Sequence, residues 1–219
     1  MKSIDTLKNF KGTASISELT NKFGKLALSF LYGGHIVVGD DYKIYIRTVE
    51  FYYHSEKTEG IHDPIMYHRN GKDIEHCPYF TLMTLHAHVS GFDITFENHY
   101  EEYRASTLIR AYEVKNKDGK YLKWEKVKED KWMFVEHDDY QYNTQSTYLY
   151  SFLNGFSMSG DNQVLWKDEP REAGTPVAGI RQNVYQSISP SEYKPFVQDD
   201  NGKDKHCDRM WSFTRNEVV

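Results

Sequence analysis

The amino-acid sequence predicts an α+β fold: a single domain with a mostly antiparallel, strongly curved sheet and a few packed helices. Three observations lead there. Several runs alternate apolar and polar residues and are joined by short turns, which suits antiparallel neighbours. Two stretches instead repeat apolar residues at helical spacing. No internal repeat, low-complexity tract or linker divides the 219 residues, a length that accommodates one large domain with its own core.

Residues 1–14 read as a lead-in, and 15–219 as the domain. Ser15 or Ser17 is placed to cap a helix running to about Leu31, with Leu19, Phe23, Leu26 and Phe30 on one face and Gly33–Gly34 as the stop. HIVVG, DDYK and KIYIRTVEFYYH then read as strand, turn and strand. Residues 54–79 are polar, hold Pro64 and Pro78, and read as a long loop, a feature that often carries function. TLMTLHAHVSGFDITFE reads as an extended run broken at Gly91, and STLIRAYEV as a further strand. KNKDGKYLKW carries a turn at its Asp-Gly. STYLYSFLNGF has helical spacing, PVAGI reads as a short strand and MWSFTRNEVV as a closing strand.

The bulk numbers narrow the function classes. Aromatic residues make up 15% of the chain, 17 of them tyrosines, which suits a β-rich core and equally a binding face. Cys77 and Cys207 stand far apart in no CxxC pattern, which argues for a reducing, cytoplasmic setting and against a disulfide scaffold or thiolate zinc site. No apolar run approaches 18 residues, so a membrane-spanning helix is not expected. A monomer is expected. The formal net charge of −5 counts against a general grip on phosphates, although a local basic stripe fits on an acidic protein. G-x-S-x-G, Walker, GxGxxG and HExxH patterns are all missing, which removes the common hydrolase, nucleotide and zincin readings.

Glu50 is the first candidate for chemistry. On strict alternation it shares a strand face with Ile44 and Ile46, an unusual place for a carboxylate. Arg110, between Ile109 and Ala111, needs a carboxylate partner if its strand is buried. Glu50 and Arg110 then form either a structural bridge or a general base with its orienting cation, with Tyr52 and His62 nearby in sequence. The second candidate is a histidine cluster. Six of the ten histidines fall between His54 and His88, and His86 and His88 share one strand face, the arrangement of an HxH metal pair. A third ligand would come from His62, His68, His76 or Glu50. The third candidate is the density of aromatic rings around these groups, which suits ordinary core and also a sandwich for a planar ligand.

Several segments, in order, resemble the alkyladenine (3-methylpurine) DNA glycosylases. LALSFLYGGHIVV followed by RTVEFYY is similar to the family's opening helix and its E-T-E-A-Y motif, with Glu50-Phe51-Tyr52 at the E-A-Y. Gly60-Ile61-His62 looks like the A-A-H loop, and Thr107 to Val114, TLIRAYEV, like the V-L-I-R-A-x-E-P strand. YLYSFLNGF, Pro176 to Ile180 and MWSFTRNEVV are similar to the family's L-C-x-A-L-G-I, P-R-x-G-I and W-R-F segments. The resemblance spans about residues 19–219. Each motif is short, and their shared order carries most of the weight.

The resemblance implies that Glu50 activates a water for attack on the sugar C1′, that Arg110 orients Glu50, and that Tyr52 and His62 wall the base pocket. It implies no metal and no cofactor. The sequence also departs from the family. In HRNGKDIEHCPYF only Arg69 and Lys72 remain of a cation-rich DNA-binding loop. His86 or His88 replaces a stacking tyrosine, Phe92 stands in for the aromatic that wedges into the duplex, and Asp93 or Glu97 lies where an amide screens purines. The expected partner is therefore DNA or a small nucleoside-like ligand. Three readings follow: a glycosylase acting on alkylated or deaminated purines, a relative that binds or hydrolyses a nucleoside-like molecule, and a metal-dependent enzyme built on His86 and His88.

Overall fold

Ser15 closes the start of the long helix. Its side chain accepts a hydrogen bond from the Glu18 amide, satisfying one of the free N–H groups of a first turn. The helix, α2, runs Ile16–Tyr32 and stops at Gly33, whose N–H donates to the Ser29 carbonyl. A shorter helix, α1, spans Ser3–Lys8 within the expected lead-in. It is tied to the domain by Leu7 and Phe10, both buried in the main core. The computed structural model describes residues 3–57, 59–61, 63, 78–88, 91–129, 131–144, 164–171, 174–181 and 209–216.

Among the described residues, ten strands form one strongly curled, antiparallel sheet. They are β1 (Gly34–Val38), β2 (Tyr42–Ser55), β3 (Leu85–His88), β4 (Gly91–Thr95), β5 (Tyr103–Asn116), β6 (Tyr121–Lys128), β7 (Lys131–His137), β8 (Val164–Asp168), β9 (Val177–Gly179) and β10 (Ser212–Thr214). The main order is β3-β4-β5-β2-β1-β8, with β10 against β2, β9 against β10, and the β6–β7 hairpin attached to β5. Together with α1 and α2 this is an α+β domain, as the alternation predicts.

The sheet's spine is the β2–β5 ladder, and its irregularity decides where the site lies. Ile46 pairs with Tyr112, but Thr48 then faces Ala111, and Val49 faces Ile109. Arg47 and Arg110 are thereby skipped. A bulge of this kind sends successive side chains to the same face and reverses the alternation beyond it. The core set on β2 accordingly changes from Ile44 and Ile46 to Val49, Phe51 and Tyr53. On β5 it changes from Val114 and Tyr112 to Ile109, Ala105 and Tyr103. Glu50 therefore lies on the face opposite Ile44 and Ile46, not beside them as strict alternation implies.

The core face packs against α2. Phe23 stacks on Phe51 with ring centres 4.6 Å apart and meets Trp211 edge-on at 5.0 Å. Trp211 ties its indole N–H to Thr20 Oγ1 at 2.9 Å, so the C-terminal strand is pinned to the same helix.

Four differences from the sequence reading concern the elements themselves. The run 81–97 is not one extended segment: it folds back on itself, with β3 and β4 paired antiparallel from Leu85↔Ile94 to His88↔Gly91. His54 and Ser55 belong to β2 rather than to the long loop. The Asp-Gly turn at 118–119 joins β5 to β6, and β6 continues into a hairpin with β7, whose Trp124 and Phe134 rings meet at 4.5 Å. Strand β8 was not anticipated at all; it covers the free edge of β1. The helix expected over STYLYSFLNGF lies outside the described residues.

Candidate active site

The bulge turns Glu50 away from α2 and onto the other face of the sheet, where it is fully buried. Two donors converge on one carboxylate oxygen. Arg110 Nε donates to Glu50 Oε2 at 2.8 Å from β5, and the Tyr52 hydroxyl donates to the same oxygen at 2.9 Å from two residues along β2. Glu50 and Tyr52 share a face because they are two residues apart on a strand. Burial pushes the Tyr52 hydroxyl well above its usual range, and the neighbouring Glu50 charge adds to this, so Tyr52 stays a neutral donor. Burial opposes the charge on Arg110, but Glu50 and Tyr52 together outweigh it and raise the guanidinium further.

Behind this pair sits a second ion pair that sequence reasoning missed. Arg181, buried, donates through Nη1 to Asp63 Oδ2 at 2.6 Å and to the Phe51 carbonyl at 3.3 Å. Its guanidinium carbon lies 4.7 Å from the Tyr52 ring centre and 5.3 Å from that of Trp211. Arg209 brings a further cation within 3.6 Å of Asp63 Oδ2 and covers Trp211 at 4.6 Å. Asp63 is anchored in turn: its amide N–H donates to His54 Nδ1 at 3.0 Å. The sequence carries a faint mark of this centre, since Arg181 directly follows the expected PVAGI strand and Asp63 directly follows His62. Nothing in the pattern pairs two residues 118 positions apart.

The strand register also places the other expected site residues. His86 pairs with Asp93, Asp93 with Leu108, Leu108 with Glu50, and Glu50 with Ser212. These residues form one row across β3, β4, β5, β2 and β10, so His86 and Asp93 are on Glu50's side of the sheet. Leu108 separates Asp93 from Glu50, and each interstrand step is about 4.8 Å. His86 packs against the Phe80 ring at 4.3 Å, and burial lowers its imidazole below its ordinary range despite the Asp93 charge. Phe92 is a correction. It alternates to the core face, is fully buried opposite Ile109, and meets Tyr112 edge-on, so it is core packing rather than an exposed duplex wedge. His88 lies on β3 opposite Gly91. His62, Arg69 and Lys72 lie outside the described residues.

A cavity of about 420 Å³ opens beside Gly12, Thr13, Tyr53, Ser55 and Glu101. Tyr53 and Ser55 alternate with Tyr52 and His54, so this space lies across β2 from Glu50. Among the described residues, no three His, Cys, Asp or Glu side chains gather as a metal-binding group. None of the described helices is long and apolar enough to cross a membrane.

No family model, no curated protein and no solved structure matches this chain. Chemically, the site offers a buried carboxylate held by a guanidinium and a neutral phenol, with a second carboxylate and two more guanidiniums behind it. Such a carboxylate can take a proton from a water molecule and hold it in a dry setting.

Proposed function

We propose that this chain is a monofunctional N-glycosylase that releases alkylated or deaminated purines from DNA. The observation that carries this reading is the convergence of Arg110 and Tyr52 on Oε2 of a fully buried Glu50. In the proposed step, Glu50 takes a proton from water as the water oxygen bonds to the sugar C1′. The C1′–N bond breaks, and its electron pair leaves with the purine. Arg110 and Tyr52 both hold Oε2 of the carboxylate, so little reorganisation accompanies the proton transfer. The route uses the chain's own groups and calls on neither a metal nor a cofactor. The order of motifs shared with alkyladenine glycosylases points the same way, as does the need of a base-releasing enzyme for aromatic surface to hold an extruded base.

A second reading is favoured by the net charge of −5: the same pocket would serve a nucleoside-like small molecule. One experiment separates them. The purified protein is incubated with labelled duplexes and single strands carrying hypoxanthine or an alkylated adenine, and abasic sites are then cleaved with alkali. Free inosine is assayed in parallel for release of its base. Glu50→Gln is run beside the native chain, because it keeps the shape and removes the base. Strand cleavage by the native protein alone supports the glycosylase. Base release from inosine alone supports the second reading. Neither product sinks both.

A further inference from the structure

On the far side of the bulge from Glu50, the same sheet face gathers cations around one carboxylate. Arg47 Nε donates to Glu113 Oε2 at 3.0 Å, and Arg171 Nη2 donates to Glu113 Oε1 at 2.7 Å. Both oxygens of the fully buried Glu113 are thereby engaged. Arg215 joins them: its backbone N–H donates to the Arg47 carbonyl at 2.9 Å. Its guanidinium is pulled below its ordinary range by burial and by the positive charges of Arg171 and Arg47. Each guanidinium is backed by a tyrosine ring, Arg47 by Tyr140 at 4.9 Å, Arg171 by Tyr45 at 4.5 Å and Arg215 by Tyr32 at 5.0 Å.

This arrangement carries excess positive charge and spare donors. Among the described residues, Arg47 and Arg171 donate to Glu113, and Arg215 stands close enough for their charges to act on it, with Glu169 the other carboxylate nearby. Arg171 Nη1 and Arg215 Nη1 are enclosed and, among the described residues, meet no acceptor. Enclosed donors without acceptors are costly and are uncommon in folded proteins. The adjoining ladder adds to the imbalance. Lys43 pairs directly with Lys115, a like-charge cross-strand contact that is itself unfavourable. On a chain with a net charge of −5, this concentration is a local basic stripe that total composition conceals.

We infer that Arg47, Arg171 and Arg215 form a binding site for a phosphate-type oxyanion. A tetrahedral dianion meets planar guanidiniums through paired N–H···O bonds, supplies the acceptors that Arg171 and Arg215 lack, and offsets the surplus charge. Arg47, already fixed by Glu113, sets the floor of the site. The site stands three residues from Glu50 along β2, roughly 10 Å at strand rise, on the same face. That spacing suits a phosphate attached to a ligand reaching toward Glu50. The inference does not depend on the chemistry proposed for Glu50, because it is read by binding alone.

The test uses the full chain and two probes. Inorganic phosphate is titrated calorimetrically at constant ionic strength, and a fluorescent single-stranded oligothymidylate is titrated by anisotropy. Native protein, Arg215→Gln and Arg171→Gln are compared. The expected result is a saturable one-site phosphate isotherm in the native protein, weakened at least about tenfold in both variants. A parallel loss of oligonucleotide affinity with a shallower salt slope identifies the source as a nucleic-acid backbone. Phosphate binding lost without any change toward the oligonucleotide identifies a free phosphate or a small phosphorylated ligand; the site stands in either case. No saturable phosphate isotherm in the native protein overturns it, and this arm needs no variant to fold. Binding that survives both substitutions also overturns it.

Discussion

Arg110 on β5 donates through Nε to the Glu50 carboxylate on β2 at 2.8 Å, across the very stretch where the ladder between the two strands is broken. The break and the ion pair belong together. Without it, Glu50 would take the core face under α2 and Phe51 would leave its stack on Phe23. With it, the carboxylate and the guanidinium meet on the opposite face.

Removing one member of this pair strands the other in a buried setting. Arg110→Met is expected to cost about 3–5 kcal/mol of stability, since it takes the Nε–H donor and its charge away from a buried carboxylate. Glu50→Gln combined with Arg110→Met is expected to cost less than the two single changes added together, with a coupling of at least about 1 kcal/mol. Urea denaturation of the native chain, both single variants and the double variant measures this. Strict additivity would mean that the pair is not energetically coupled.

The sequence made the fold class and the chemical identity of the pair legible, but not its place in the sheet. Helix α2 was readable because Leu19, Phe23, Leu26 and Phe30 recur on one face and Ser15 and Gly33 bracket them. Glu50 and Arg110 stood out because charged residues are rare in apolar strands. The face reversal was not readable. Arg47 and Thr48 are ordinary strand residues, and a bulge at such a position leaves no mark in residue type. Asp63 and Arg181 were missed for a different reason: their contact depends on where two distant loops come to rest. The β6–β7 hairpin carried only a weak signal, since Trp132, Met133, Phe134 and Val135 form a continuous apolar run rather than an alternating one.

Gly91 is held by geometry rather than by local flexibility. Its φ is 143°, and a Cβ built there would lie 2.0 Å from the Ile109 carbonyl oxygen. Gly91→Ala is therefore expected to force β4 away from β5 and to cost about 2–4 kcal/mol. Gly119 has a φ of 83° with open space around it. Gly119→Asn should cost under about 1 kcal/mol, because Asn tolerates that conformation. Thermal and urea unfolding of the two variants test the contrast. Equal losses would refute the close approach at Gly91.

Glu97 makes stability depend on pH. Burial raises its carboxyl to about 8, although the Phe80 amide N–H donates to it at 2.8 Å and Arg104 lies close by. The folded chain therefore holds a proton on Glu97 that the unfolded chain releases near the ordinary carboxyl value of 4.5. Between those two values the folded state binds more protons, so this group's contribution falls as pH rises. Glu97→Gln keeps the neutral form at every pH. Its stability relative to the native chain is expected to improve by roughly 1–3 kcal/mol on going from about pH 5 to about pH 8. Denaturation at both values, native against variant, isolates Glu97 from the histidines that titrate in the same range. A difference that does not change with pH would place the Glu97 carboxyl in an ordinary solvated setting.

Arg181 is expected to act on Glu50 through Tyr52. Its guanidinium faces the Tyr52 ring at 4.7 Å while Asp63 holds it at 2.6 Å, so the ring is trapped with its hydroxyl aimed at Glu50. Arg181→Lys keeps the charge but loses the planar stacking surface and the fork. The expected loss is about 1–3 kcal/mol of stability. If Glu50 performs the proposed base release, the same change lowers kcat by about tenfold and leaves KM nearly unaltered, because Arg181 touches the positioning of the base and not the ligand. Single-turnover assays on a hypoxanthine-containing strand would separate the two constants. Tyr52→Phe supplies the control: it removes the hydroxyl that Arg181 is argued to orient. Arg181→Lys should then add little further loss in the Tyr52→Phe background, whereas full additivity would show that Arg181 works by another route.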